Sequence, residues 1–270
     1  MIIDGKKIAE ELIAGLAARR DTLPPTLTLG VLMGEEDAAS ASFVRIKERV
    51  AQRLRVTLIR EMVSVNTTTE VAIHAIQWLF RDVHGTVVQL PLPTGIDTEK
   101  ILAAIPASRD VDAVNPTTLQ SARVVRAPVA EAIAEILTRT NVDLRGKIGI
   151  VVGAGALVGA PAAELLKSLG ARVSIITQSQ GSLDSLKTAD VVVLGAGSPG
   201  FVKPDMIKQG VILIDAGTSE AAGKLVGDAD PSCAEVASIF TPVPGGVGPI
   251  AVAMLFKNLF ILAEKKNPTN

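Results

Sequence analysis

The chain has 270 residues, of which 48% are hydrophobic and 20% charged, with a formal net charge of −1. This length accommodates one large domain or two modest ones, and the composition excludes a disordered chain. Near-balanced charge gives no electrostatic case for nucleic acid or an anionic membrane surface. A single cysteine, Cys233, cannot form an internal disulfide, and with only His74 and His84 beside it little is left for a zinc site.

The opening stretch "MIIDGKKIAEEL" carries charges where a signal peptide needs an apolar core. No apolar run approaches the roughly 20 residues of a membrane span, so a cytoplasmic protein without a membrane partner is expected. In "KKIAEELIAGLAARRD", Ile8, Leu12, Ile13 and Leu16 fall on one helical stripe. "TLTLGVLMG" then reads as a strand, "ASFVRIKERVAQRL" as a helix, "VTLIREMV" as a strand and "TTEVAIHAIQWLF" as a helix. "GTVVQLPLP" reads as a strand stopped by prolines, which cannot continue a central ladder. Repeated units of this kind predict parallel sheets with covering helices.

From about Val129 a second series opens with the helix "VAEAIAEILTRT". Strands are expected at 148–152, 171–177, 190–194, 211–215 and 237–240, and "VAMLFKNLFILAEKK" closes the chain as an amphipathic helix. The expected fold is α/β, with two lobes around a cleft. Residues 1–120, joined by a C-terminal helix at about 250–266, form one domain, and 121–249 form a Rossmann-type domain.

The stretch "IGIVVGAGALVGAPAAELL" is a strand, a loop holding Gly153, Gly155 and Gly159, then a helix. Glycines permit a tight turn and close backbone approach, and a helix start offers free N–H groups to a diphosphate. Its GxGxxxG spacing also suits a turn that only tightens strand–helix packing. A second loop with Gly195, Gly197 and Gly200 follows "ADVVVL", and "TPVPGGVGPI" follows the last strand. Ligands in open parallel sheets lie beyond the carboxyl ends of strands, so three such segments favour a dinucleotide site.

In the first series Phe43 and Lys47 stand four apart and share a helical face. A surface lysine beside a core phenylalanine explains the pair equally well. Gln89 precedes "LPLP" at a strand end, facing a crevice or simply an edge. Asp110 and Asp112 in "SRDVDAV" suit a metal, a cationic or amide-bearing ligand, or merely a loop turn.

Taken together, "DGKKIA", "ASASFVRIK", "VVQLPLP", "RDVDAV", "VVGAGALVGAP", "PGFVKPDMIKQGVILIDAG", "GKLVGDAD" and "TPVPGGVGPI" resemble, in order, the methylenetetrahydrofolate dehydrogenase/cyclohydrolase family. The resemblance runs nearly end to end. It implies a folate-binding α/β domain, a Rossmann-type domain, a homodimer and tetrahydrofolate derivatives as substrates. The implied chemistry is oxidation of 5,10-methylenetetrahydrofolate with NAD or NADP, followed by hydrolysis to 10-formyltetrahydrofolate. Lys47 matches the family's principal catalytic group, Gln89 the glutamine that orients it, and Asp112 the residue that holds the pterin ring. Substrate contacts are implied at Ser40, Phe43, Pro91, Gly245, Gly246 and Pro249. On the cofactor side the match implies Gly153, Ala154, Gly155, Val158 and Gly159 in the first loop. It adds Gln178 and Ser179 after the second strand, Gly195, Ala196 and Gly197 in the second loop, and Gly217.

Several positions depart from the family pattern. In the helix motif SxxYVxxK the tyrosine is Phe43, and the chain contains no tyrosine. The glycine that usually follows the second acid is Ala113, and the arginine and serine of the dinucleotide loop are Ala154 and Gly155. No basic or acidic residue ends "IITQSQG", so a modest preference for NAD over NADP is expected. The alternatives are a weakened folate-binding relative without dinucleotide turnover, or another NAD(P)-linked oxidoreductase on the same fold.

Overall fold

The structure, a computed structural model, describes the chain except residues 36–37, 178–179, 222 and 267–270 and the side chains of 38–43, 221 and 266. The chain divides into two compact units, Met1–Glu10 with Val129–Ala251, and Glu11–Pro128 with Val252–Asn270.

In the unit built on Glu11–Pro128, α1 (Gly5–Arg19) leads to β1 (Leu27–Gly34), α2 (Ala38–Arg53), β2 (Val56–Val63), α3 (Thr69–Leu79), β3 (Gly85–Gln89) and α4 (Thr98–Ala103). The strands form a parallel sheet in the order β2-β1-β3. Strand β1 is buried along its whole length, as its apolar run dictates, whereas edge strand β2 exposes polar residues between buried Val56 and Val63. Helix α3 starts where the Thr68 hydroxyl accepts from Val71 N, and α4 where the Asp97 carboxylate accepts from Lys100 N. Leu32, Ile76, Leu79, Ile101 and Ile105 pack as one core between sheet and helices. Strand order reverses between β1 and β3, and Gln89, in register with Met33, stands at the carboxyl end of that reversal.

In the other unit, α5 (Pro128–Arg139) leads to β4 (Ile148–Val152), α6 (Gly159–Ser168), β5 (Arg172–Ile176), β6 (Val191–Leu194), β7 (Ile212–Asp215), the hairpin β8 (Ser219–Ala221)–β9 (Lys224–Val226), and β10 (Ile239–Phe240). The parallel sheet runs β10-β7-β6-β4-β5, reversing between β4 and β6. The first residues of the chain extend this sheet: Ile3 N donates to Phe240 O and Phe240 N to Met1 O, both at 2.9 Å. The apolar runs at all five expected strand sites form strands, each a residue or two shorter than expected or unchanged.

Two expectations are corrected. The last helix, α7 (Val247–Lys266), is not amphipathic: Ala253, Met254, Leu255, Phe256, Leu259, Phe260, Leu262 and Ala263 are all buried, which covers every face of the helix. Its segment Val247–Lys265, with mean hydropathy 1.6, is long and apolar enough by length and composition to cross a membrane, contrary to the reading that no such run exists. Since 61% of its most apolar window is buried within the fold, the helix serves here as a core element. The short α4 and the β8–β9 hairpin were not anticipated.

Candidate active site and dinucleotide loops

Strand β3 ends at Gln89 because Pro91 and Pro93 follow it without N–H groups. Gln89 is buried at 9% exposure. Lys47 projects from α2, on which Val44 and Val50 are buried, and its Nζ donates to Gln89 Oε1 at 2.7 Å. The other end of the amide is also committed, Gln89 Nε2 donating to Leu90 O at 3.1 Å, so the oxygen is the end presented to the lysine. Burial lowers the Lys47 pKa from its ordinary value, while the opposing charge of Asp112 pulls it back up. Burial pushes the Asp112 carboxyl up to about 7, against the pull of Lys47, and the Asp110 charge adds to the rise. A lysine poised towards neutrality beside a carboxyl that holds its proton near neutral pH is an arrangement for proton transfer.

The two acids of "DVD" have separate roles. Asp110 is 4% exposed, and its Oδ2 accepts from Asn115 N at 2.8 Å. Asn115 in turn donates from Nδ2 to Ala103 O at 3.1 Å and Ile105 O at 2.7 Å, so Asp110 anchors the loop. Desolvation raises its pKa as well. Asp112 is the member whose charge acts on Lys47. From α7, Asn258 Nδ2 donates to Val111 O at 2.8 Å and Arg126 O at 2.7 Å, fixing the loop from behind. Gly85 leaves the space that Val111 and Leu259 fill beside β3. Among the described residues no group of three or more His, Cys, Asp or Glu could hold a metal ion.

In the other unit, both glycine loops sit at the carboxyl ends of β4 and β6, where strand order reverses. Gly153 has φ +102°, and a Cβ there would run into Gly195 O. A Cβ on Gly159 would run into Gly153 O, so these two glycines let the loop fold back on itself. Gly155 instead faces open space. Helix α6 begins after Val158 with no side-chain cap and no acidic residue in its first turn, leaving its positive end uncompensated. An open glycine and an uncapped helix start fit the diphosphate of a dinucleotide.

Residues 3–112 match the tetrahydrofolate dehydrogenase/cyclohydrolase catalytic domain, and residues 127–267 match the NAD(P)-binding domain of the same enzymes. The chain belongs to the tetrahydrofolate dehydrogenase/cyclohydrolase family. It is 36% identical to the bifunctional protein FolD of Macrococcus caseolyticus over 98% of each chain. Among solved structures, the bifunctional FolD enzyme of Campylobacter jejuni is 30% identical, with TM-score 0.91 and 99% of each chain covered. The Trypanosoma brucei FolD, solved with NADP and an inhibitor, is 29% identical, with TM-score 0.90 and 98% of each chain covered.

In this tetrahydrofolate dehydrogenase/cyclohydrolase family member, Lys47, Gln89 and Asp112 fall in the catalytic-domain match and the glycine loops in the NAD(P)-binding domain. Pro91 is exposed just past β3. Gly245 and Gly246 form the turn before α7, where Gly246 N donates to Pro242 O at 2.7 Å, and Pro249 lies in the first turn of that helix. No room exists for a Cβ on Gly5 against Gly246 O, which gives Gly246 a packing role. Gln178 and Ser179, and the side chains of Ser40 and Phe43, lie outside the described residues.

Two residues around the loops escaped the sequence reading, although both stand in the quoted motifs "LIDAG" and "VGDAD". Asp215 (1% exposed) accepts from Gly217 N at 3.0 Å and Ala229 N at 2.8 Å. Burial pushes its carboxyl up to about 6. Asp228 is wholly buried and accepts from Ala196 N at 2.7 Å, Gly197 N at 3.2 Å and Ser198 N at 2.7 Å. The signal for them was two acids beside glycines, a pattern equally typical of turns.

Proposed function

We propose that the chain oxidises 5,10-methylenetetrahydrofolate to the 5,10-methenyl form with NAD(P), and hydrolyses that product to 10-formyltetrahydrofolate. The carrying observation is the 2.7 Å bond from Lys47 Nζ to Gln89 Oε1, with the Asp112 charge acting on the same ammonium. Gln89 aims the amine, and burial favours its neutral form, which can accept a proton from an attacking water. A cationic methenyl group nearby shifts the lysine further in that direction. Asp112, once ionised, accepts the N–H groups of the pterin ring and fixes its orientation.

The dinucleotide supplies the hydride acceptor, and this chain's contribution is to hold it at the first glycine loop through Gly153, Ala154, Gly155, Val158 and Gly159. The second loop and Gly217 shape the neighbouring wall, while Pro91, Gly245, Gly246 and Pro249 belong to the folate side together with Ser40 and Phe43. At Phe43 the phenol of the family pattern is missing, and restoring it with Phe43→Tyr is expected to accelerate hydrolysis.

NAD is the preferred cofactor, by a modest margin. Ala154 supplies no charge to a 2′-phosphate. Arg145 and Lys147 precede β4, and Arg172 opens β5, so all three mark the amino ends of their strands, opposite the glycine loops. Arg145 is further engaged by Asp143, its Nη2 donating at 2.7 Å. A cytoplasmic homodimer is part of the same reading: the family resemblance implies the dimer, and a single, buried, unpaired cysteine suits a reducing cytoplasm.

Lys47→Met tests the assignment. Removing a general acid–base group costs roughly 10²–10⁴-fold in rate. Methenyl hydrolysis should fall by that much while folate affinity is largely retained; hydrolysis at the wild-type rate would overturn the assignment.

A further inference from the structure

The second glycine loop is held by an internal anion. The Asp228 carboxylate takes the N–H groups of three successive residues, Ala196, Gly197 and Ser198, at 2.7, 3.2 and 2.7 Å. Successive N–H groups converging on one point form an anion nest of the kind that elsewhere receives phosphate. Here the nest is already filled from within the chain, by a residue with no exposed surface.

The surroundings show that this carboxylate is built in. A Cβ on Gly217 would collide with the Asp228 carboxyl, and a Cβ on Gly227 with Asp215 Oδ2, so each aspartate lies against a glycine beside the other. Asp215 accepts from Ala229 N at 2.8 Å, which ties the segment carrying Asp228 to the end of β7. The same segment is joined to the loop by its backbone, Gly200 N donating to Gly227 O at 2.8 Å and Val202 N to Asp228 O at 3.1 Å. The two loops therefore differ in kind. The first has an open glycine and an uncapped helix start, whereas the N–H groups of the second are spent.

We propose that Asp228 is a positioning residue for the dinucleotide. It sets the shape of the wall at the end of β6, including Gly195, against which Gly153 packs. It also prevents that loop from competing with the first for the cofactor's phosphates. This rests on the dinucleotide-dependent reading above. Losing Asp228 frees three N–H groups and loosens the wall, so affinity for both NAD and NADP falls irrespective of the 2′-phosphate. Hydrolysis consumes no dinucleotide, and its proton-handling residues Lys47, Gln89 and Asp112 belong to the other unit.

The test uses the full chain as wild type, Asp228→Ala and Asp228→Asn. Dinucleotide dissociation constants are measured by calorimetric titration, alongside methenyl hydrolysis and thermal unfolding. The expected result is a ten-fold or greater weakening of both dinucleotides in Asp228→Ala. Asp228→Asn, which keeps one acceptor oxygen, should fall between, and hydrolysis should change less than two-fold. Unaltered affinity in any folded Asp228 variant overturns the proposal, as does equal loss of hydrolysis and binding. If Asp228→Ala does not fold, Asp228→Asn decides it by the same criteria. A wild type that binds neither dinucleotide overturns the underlying functional reading, and this proposal with it.

Discussion

Lys47 Nζ lies 2.7 Å from Gln89 Oε1, and the amide's nitrogen is held by the carbonyl of Leu90. The lysine thus meets a neutral acceptor where a carboxylate would serve equally well for geometry. The difference is electrostatic. A neutral partner orients the ammonium without holding on to its proton, and burial can then lower the pKa.

Gln89→Glu therefore places a charge at the same distance and raises the Lys47 pKa. The expected outcome is a methenyl hydrolysis profile displaced to higher pH, with a lower rate at neutrality. Hydrolysis rates measured between pH 6 and 10 on both proteins check this, and an unmoved profile would show that Lys47 is not the titrating group.

Asp112 gives the opposite limb. Its carboxyl is pushed up to about 7, so the proton stays on below that pH and the group cannot accept pterin N–H bonds there with both oxygens. Folate affinity should accordingly rise as pH climbs from 5 through 7 and level off above, approaching ten-fold per unit on the steep part. Asp112→Asn should bind more weakly at pH 8 and show a flat dependence. Equilibrium titration with a folate at five pH values reads both curves.

Ala113 adopts φ +53°, a left-handed conformation that costs a residue with a Cβ roughly 1–2 kcal/mol. The glycine usual at this place removes that cost but gains freedom in the unfolded chain. Ala113→Gly should stabilise the protein by about 0.5–1 kcal/mol, or roughly 1–4 °C in Tm. Calorimetric unfolding of the two proteins measures it, and destabilisation would mean that the loop does not hold this backbone angle.

Much of the fold was legible because buried parallel strands must be short apolar runs, and "LTLGVLM", "IGIVV" and "VVVL" have no other use. Glycine spacing likewise revealed where strand meets helix, since close backbone approach admits no other residue at Gly153 or Gly159. Side-chain roles were less legible. Spacing alone leaves Asp110 and Asp112 alike; the family resemblance singles out Asp112, and the fold supplies the reason, one carboxylate being spent on Asn115 N and the other acting on Lys47. Asp215 and Asp228 were hidden for a related reason: their partners are backbone N–H groups, which carry no residue signature. The closing helix misled because Lys257, Asn258 and Glu264 suggest a polar face, whereas Asn258 is buried on the carbonyls of Val111 and Arg126.

Mixing purified protein with 5,10-methylenetetrahydrofolate and NAD or NADP, and following methenyl absorbance, reads the proposed oxidation itself. A dinucleotide-dependent rise is expected, faster with NAD at equal subsaturating concentration, followed by decay as the methenyl form is hydrolysed. Absence of any rise with either dinucleotide, in protein shown to be folded, would contradict it.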